Sequence, residues 1–236
     1  MRKLGLIIGL VFWGQQIGWS QTQECVNQIK SWYTILENKV NNVDKKNLFE
    51  MKFTMNVVYT NRKQLDSISY DAHVISDQSK RYFFSDDSKV YQNEKTTASV
   101  SLKNKEIHLF NTPADEYKNQ LTERYQLFED TLFSSVDNAR LVNKNQIKLF
   151  FERDNKIANG LKEISFDFSG NQLVKSIQTV YYPNQKFSHI KVDYHKIDFN
   201  SETDVLNKKL LANIMRGKKL IPAYKNYTLY DHRKNK

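Results

Sequence analysis

The chain has 236 residues, 36 lysines and arginines against 26 aspartates and glutamates, and a formal net charge of +10. Beyond residue 20 its glycines are Gly160, Gly170 and Gly217, too few for a phosphate-cradling loop or a dinucleotide fingerprint, which excludes nucleotide-dependent enzymes. Its one cysteine, Cys25, excludes an intrachain disulfide, so stability must come from packing.

Residues 1–20 have the composition of a secretory signal peptide. Two basic residues precede an apolar run over Leu4–Trp13, and the small residues Gly18 and Ser20 suit cleavage before residue 21. The run is shorter than the roughly 20 residues that span a bilayer, although an uncleaved anchor is the alternative. The sequence therefore predicts a single mature domain over 21–236 in the periplasm, with an extracellular or outer-membrane-associated location as the alternative.

The positive charge bears on the choice of partner. In an exported protein it favours an anionic membrane surface, anionic glycans or an acidic protein over nucleic acid, unless it serves solubility alone. Cys25 would carry lipid if the leader were a lipoprotein signal, but residues 22–24 lack the small side chains of such a signal. We therefore expect Cys25 on the buried face of a helix.

Helical and strand periodicities follow one another along the first half of the chain. Apolar residues three and four apart predict an amphipathic helix over Cys25–Val40. Alternation of apolar and polar residues then predicts an antiparallel meander with strands at Met51–Tyr59, Ile68–Val74, Lys80–Ser85, Lys89–Asn93, Ala98–Leu102 and Glu106–Phe110. A stripe at helical spacing over Leu121–Leu132 predicts a helix that interrupts the sheet.

The second half returns to strands. Short strands are predicted at Ala139–Asn143 and Ile147–Glu152, and three hairpin strands occupy Leu161–Asn200, with turns at Gly170-Asn171 and Pro183-Asn184.

The C-terminal segment combines a helix signal with a charged tail. Ser201 followed by Asp204 resembles a capping box and predicts a helix that Gly217 ends. The basic, tyrosine-rich tail (Arg216–Lys236) is expected to hold one short strand before a frayed end.

The motif search finds no catalytic arrangement. His189, Asp193 and His195 carry metal-ligand side chains on one strand face, but His189 and Asp193 are about 13 Å apart along the strand, which favours a solvated outer face. Glu163 and Asp167 are also about 13 Å apart, beyond the usual separation of glycosidase carboxylates, and are interpreted as surface charges. We therefore predict a protein that is not an enzyme, with no metal site and no cofactor; a hydrolase whose residues converge only in the fold is the least favoured alternative.

The segment Lys162–Asn171, with sequence KEISFDFSGN, and the strands after it resemble the closing hairpins of the periplasmic outer-membrane lipoprotein carrier family. The order of helices and strands over Ile29–Pro113 agrees with the same family. The resemblance implies an α+β fold, an antiparallel unclosed β-barrel (half-barrel) covered by helices, whose apolar cavity shields acyl chains. The family's Arg-Pro pair has no counterpart at Ser76–Lys80, so no arginine role is carried over.

Two functional hypotheses follow. In the first, the protein is an exported carrier or binding protein that holds the acyl chains of a lipid or an acylated protein, with outer-membrane lipoprotein sorting as a candidate role. Its predicted wall residues lie on apolar strand faces: Phe53, Met55, Tyr59, Tyr70, Phe166 and Phe168. A filled core would show the same alternation. In the second, the protein is a structural component of a cell-envelope complex that binds a protein partner through the basic tail.

Overall fold

The structure is a computed structural model that describes residues 21–35, 38, 48–60, 66–77, 80–112, 132–169, 173–202 and 210–233. The predicted signal peptide, nearly all of the predicted helix over Leu121–Leu132 and the turn at Gly170-Asn171 lie outside these residues. Among the described residues, no helix is both long enough and apolar enough to span a membrane.

The described residues form a largely antiparallel β structure. The strands have these bounds: β1 Leu48–Tyr59, β2 Ser67–Ser76, β3 Lys80–Ser85, β4 Ser88–Asn93, β5 Thr96–Ser101, β6 Glu106–Asn111, β7 Asn138–Asn143, β8 Gln146–Phe150, β9 Leu161–Phe168, β10 Val174–Tyr181, β11 Phe187–Ser201, β12 Met215–Arg216, β13 Lys219–Leu220 and β14 Thr228–Asp231. Twelve of them form one sheet in the order β14-β6-β5-β4-β3-β2-β1-β11-β10-β9-β8-β7, and β12 pairs with β13. The predicted large, unclosed antiparallel sheet is therefore confirmed, and every predicted strand is present.

The chain divides into two compact units. Unit 1 comprises Met1–Leu36, Asn56–Ile68 and Leu127–Asp193. Unit 2 comprises Glu37–Met55, Ser69–Gln126 and Tyr194–Lys236. Strands β1, β2 and β11 each contribute residues to both units.

Unit 1 contains the predicted first helix, α1 (residues 21–35). The helix buries the residues that recur at spacings of three and four, Cys25 included: Cys25, Val26, Ile29 and Trp32. The ring of Tyr33 packs 6.2 Å from that of Phe133. The Thr22 hydroxyl accepts a hydrogen bond from the Ala139 N–H of β7 at 3.1 Å. The N-terminal turn of the helix is therefore attached to the outermost strand of this unit.

Unit 2 has a core on one face of strands β2 to β6. Cross-strand pairing aligns the core residues, since Tyr82 pairs with both Ile75 and Tyr91, and Ala98 pairs with both Tyr91 and Leu109. The C-terminal segment covers this row with Leu210, Ile214 and Tyr224. Strand β14 then pairs with β6 in parallel, so the tail contributes to the sheet as well as to its cover.

Two local predictions are wrong. In β2 the predicted apolar face included Ile68, which is 52% exposed, whereas Ile75 is fully buried opposite Tyr82. Ser201 ends β11 and its hydroxyl donates to Glu50, and the first turns of the helix predicted after it, residues 203–209, lie outside the described residues. Gly217 has a φ of 60° in the turn between β12 and β13, a left-handed conformation that suits glycine, and so belongs to a hairpin.

Candidate functional site

Three of the predicted wall residues lie in unit 2, where all are half-buried. The Phe53 ring lies 6.1 Å from the Tyr194 ring of β11. The Tyr70 hydroxyl donates to the Met55 sulfur at 2.7 Å, which joins β2 to β1 on the same face. Phe53, Met55 and Tyr70 therefore form an apolar surface that is still partly open to solvent.

The other three lie in unit 1. Tyr59 is half-buried and its ring packs 5.3 Å from that of Phe187. Phe166 is 2% exposed and Phe168 is 9% exposed, and Phe166 pairs with Ile147 and Ile177 on the neighbouring strands. These two phenylalanines occupy the packed interior of unit 1.

A pocket of about 380 Å³ opens on unit 2 beside Phe53. It is lined by Lys52, Phe53, Asp71, Ala72, His73, Phe84, Ser85, Asp86 and His195. Two of these lining residues share a partner outside the lining, since the Thr54 hydroxyl lies 2.5 Å from Asp71 Oδ1 and 2.6 Å from His195 Nε2. The Thr54 hydroxyl has one hydrogen, which it donates to Asp71. His195 Nε2 therefore donates to Thr54 Oγ1, and these two hydrogen bonds fix the hydroxyl in place.

Glu50 is the centre of a second polar network in unit 2. The residue is 5% exposed, and its carboxylate accepts hydrogen bonds from Lys196 Nζ and Ser201 Oγ at 2.6 Å each. His73 Nε2 lies 2.8 Å and Lys52 Nζ 3.4 Å from the same group. Burial alone would raise the pKa of Glu50, but these hydrogen bonds outweigh it and lower the pKa from 4.5 to about 2. The carboxylate is thus a buried anion with several donors.

This network predicts a pH dependence of stability. Because the folded-state pKa of Glu50 is depressed, its stabilisation is fully present above about pH 4.5 and is lost as pH falls towards 2. We expect the difference in unfolding free energy between wild type and Glu50→Gln to shrink across that interval. Urea unfolding of both proteins at pH 7, 4, 3 and 2 measures it; a difference that is constant with pH contradicts the assignment.

A larger cleft of about 670 Å³ lies against the C-terminal segment of unit 2. Its apolar lining comes from the 3-10 turn Leu210–Asn213 and strands β12 and β14, and its basic groups flank that lining. The lining residues are Leu211, Ala212, Met215, Arg216, Gly217, Lys218, Leu229, Asp231 and Arg233. Arg233 donates from Nε to Asp231 at 2.7 Å, which lowers the pKa of that carboxyl. The cleft thus joins an apolar surface to a net positive edge.

The sequence-based site and this cleft do not coincide. None of the six predicted wall residues lines the cleft, and only Phe53 lines the smaller pocket. The sequence feature that points to the cleft is the basic, tyrosine-rich tail, which lines part of it. For this tail the sequence analysis predicted binding to a protein partner. In the structure this tail is part of unit 2, since Tyr224 is 5% exposed and the Tyr227 ring packs 5.0 Å from it.

The polar candidates of the last hairpin are engaged by near neighbours. Asp193 pairs with Lys191 at 2.8 Å, and Glu163 pairs with Lys148 at 2.7 Å and accepts from Ser165. Asp167 accepts hydrogen bonds from Gln146 and Ser176 on the two flanking strands. In the part of the chain that the structure describes, no group of three or more His, Cys, Asp or Glu side chains has metal-binding geometry.

No protein-family model matches the chain, and no curated protein matches it. Similar solved structures include an uncharacterized conserved protein from Thermus thermophilus, at 8% identity and a TM-score of 0.41 over 85% of this chain and 99% of that one. A LolA superfamily protein from Nitrosomonas europaea is similar at 7% identity and a TM-score of 0.30, over 75% of this chain and 97% of that one. A DUF1329 family protein from Desulfovibrio piger has 7% identity and a TM-score of 0.29 over 80% and 97%.

Proposed function

We propose that the protein is an exported, non-enzymatic binding protein for an acylated amphiphile with an anionic head, held in the larger cleft of unit 2. The carrying observation is the pairing of an apolar lining with the basic side chains of Arg216 and Lys218 in one concavity, beside the ion pair of Arg233 with Asp231. Its volume of about 670 Å³ lies within the range of small-molecule sites. Each methylene buried there contributes about 0.8 kcal/mol, and the basic side chains attract the head group.

The proposal also gives a role to apolar residues of the sheet that lie outside the cleft. We assign Phe53, Met55 and Tyr70 to contacts with acyl chains, because they are half-buried and leave apolar surface for a ligand. Tyr59 has the same proposed role in unit 1. Contact of a ligand with Phe166 or Phe168 requires unit 1 to open there. A more specific form of this proposal is that the protein is a periplasmic half-barrel carrier in outer-membrane lipoprotein sorting. The cleft supports this form only in that its apolar lining suits acyl chains.

Binding of a defined amphiphile tests the proposal. The probe is palmitoyl-lysophosphatidylglycerol below its micelle concentration, titrated into the full chain in a calorimeter. We expect saturable binding that Met215→Asp weakens at least about tenfold, since a charge then replaces apolar lining. The exposed Leu141→Asp is the matched control and should bind as wild type.

The head group is tested separately. Replacing both Arg216 and Lys218 with glutamine should weaken binding of the anionic lipid and reduce its salt dependence, while binding of palmitoyl-lysophosphatidylcholine changes little. Absence of saturable binding of either lipid would overturn the proposal. Organic extraction of protein from its own envelope then identifies the natural acyl cargo; recovery of a protein partner with no lipid would favour the cell-envelope complex instead.

A further inference from the structure

Strand β14 belongs to two different surfaces of unit 2. Leu229 and Asp231, together with Arg233 just beyond the strand, line the larger cleft. Tyr230 and His232 alternate with these residues, and their rings pack against rings of β6. The strand is only four residues long and pairs in parallel with β6. The contacts that hold β14 to β6 therefore also position one wall of the cleft.

A hydrogen bond between His108 and His232, the histidine pair, fastens the end of this strand to β6. His108 Nδ1 lies 3.1 Å from His232 Nε2, and the two ring planes are 4° apart. A hydrogen bond between imidazoles needs one N–H and one lone pair, so one ring donates and the other accepts. The His232 backbone N–H also donates to the Leu109 carbonyl at 2.8 Å. His232 is thus bonded to β6 through both its backbone and its side chain.

Uncharged side chains hold the histidine pair in position. The Tyr230 ring lies parallel to that of His108 at 4.8 Å. The Phe110 ring lies parallel to that of His232 at 4.9 Å, and on the neighbouring strand β5 Ser99 pairs with His108. The His108 side chain is 32% exposed and His232 is exposed, so water reaches both rings. The pair therefore exchanges protons with solvent while the sheet stays folded.

The charged groups beside the pair, in the part of the chain that the structure describes, belong to β6 and to the end of β14. Glu106 Oε2 lies 3.6 Å from His108 Nε2, which is too far for a strong hydrogen bond but near enough to attract a charged imidazole. Asp231 and Arg233 flank His232 in the chain and form an ion pair with each other. One carboxylate, that of Glu106, is thus left to balance positive charge on the pair.

We propose that the histidine pair is a pH-sensitive contact that controls the larger cleft, and that it releases the end of β14 when both imidazoles are protonated. The first added proton leaves the hydrogen bond intact, because an imidazolium still donates to a neutral imidazole. A second proton has to bind one of the two facing nitrogens, so both nitrogens would then carry hydrogen across 3.1 Å. Two donors and two positive charges repel each other at that distance. The rings must then separate.

The effect on the cleft rests on the proposed function, the binding of an acylated amphiphile there. Histidine side chains take up protons between about pH 5 and 8, and the second proton must break a hydrogen bond, so we expect release between about pH 6 and 5. Above that interval β14 keeps its place in the cleft wall and the amphiphile binds; below it the wall loosens and the amphiphile dissociates. The Glu50 network weakens only below about pH 4.5, so the two effects are separable.

Hydrogen exchange of the full chain without ligand tests the release of β14. We expect the protection of residues 228–232, corrected for intrinsic exchange, to fall at least about tenfold between pH 7 and 5, while that of strand β3 stays constant. In His108→Gln and in His232→Gln the protection of residues 228–232 should not change over this interval, since a second imidazolium cannot form. His189→Gln, which changes a half-buried histidine of unit 1, is the matched control and should behave as wild type.

Calorimetric titration of palmitoyl-lysophosphatidylglycerol at pH 7 and pH 5 tests the control of the cleft. Wild type should bind at least about tenfold more weakly at pH 5, and His232→Gln equally at both pH values. Constant protection of residues 228–232 in wild type overturns the proposal, as does the same loss of protection in both histidine variants. Equal lipid binding by wild type at both pH values overturns the control of the cleft and leaves the proposed function standing. Absence of binding at either pH overturns the proposed function, and hydrogen exchange then decides on the release of β14 by itself.

Discussion

Replacement of Glu50 with glutamine is expected to lower the free energy of unfolding at pH 7 by roughly 3 kcal/mol, the value that corresponds to a pKa depressed from 4.5 to about 2. The physical reason is that Lys196, Ser201 and His73 all direct donors at this buried carboxylate. Glutamine keeps one acceptor oxygen, but an amide NH2 that cannot accept replaces the other, and the negative charge that pairs with Lys196 is lost. Urea unfolding at pH 7 measures the loss.

The matched control for this variant is Glu94→Gln, which neutralises an exposed glutamate in the turn after β4. We expect it to change stability by no more than about 0.5 kcal/mol. Equal stabilities for the two variants would show that the Glu50 network contributes no more than a surface charge.

Phe166→Ala is expected to destabilise the protein by about 3–5 kcal/mol, because its ring is 2% exposed and its removal leaves a cavity in unit 1. Phe53→Ala should cost only about 1 kcal/mol, since Phe53 is half-buried. Chemical denaturation of both variants gives the comparison.

The same pair of positions discriminates core from ligand wall. Phe166→Leu preserves most of the apolar volume and should remain folded. If it then takes up palmitoyl-lysophosphatidylglycerol as wild type does, the aromatic ring of Phe166 is not required for the ligand. Loss of uptake by folded Phe166→Leu, with uptake kept by Phe53→Ala, would reverse the roles that burial indicates.

The meander was predictable because its information is local. Strand β3, Lys80–Ser85, has the predicted bounds, since polar turns flank a short aromatic run, Tyr82–Phe84. In β2 the same reasoning failed. Alternation within β2 could not reveal that Ile75 is buried against Tyr82, because the burial of Ile75 depends on which residue of β3 lies opposite it.

The polar networks were not predictable because their partners are remote in sequence. Glu50 lies 146 residues from Lys196 and 151 from Ser201. In the alternating pattern of β1 it falls on the face of Lys52 and Thr54, which periodicity assigns to solvent. The meeting of His108 with His232, 124 residues apart, depends on the parallel pairing of β14, for which no short-range signal exists.

The position of β14 has a consequence for the biogenesis of the protein. Ribosomes synthesise β6 long before Thr228–Asp231, so the backbone groups of β6 on that side stay without their native partner until that segment has been translated. An exposed strand edge recruits other chains. Nascent or truncated chains that end before residue 228 are therefore expected to self-associate more readily than the full chain.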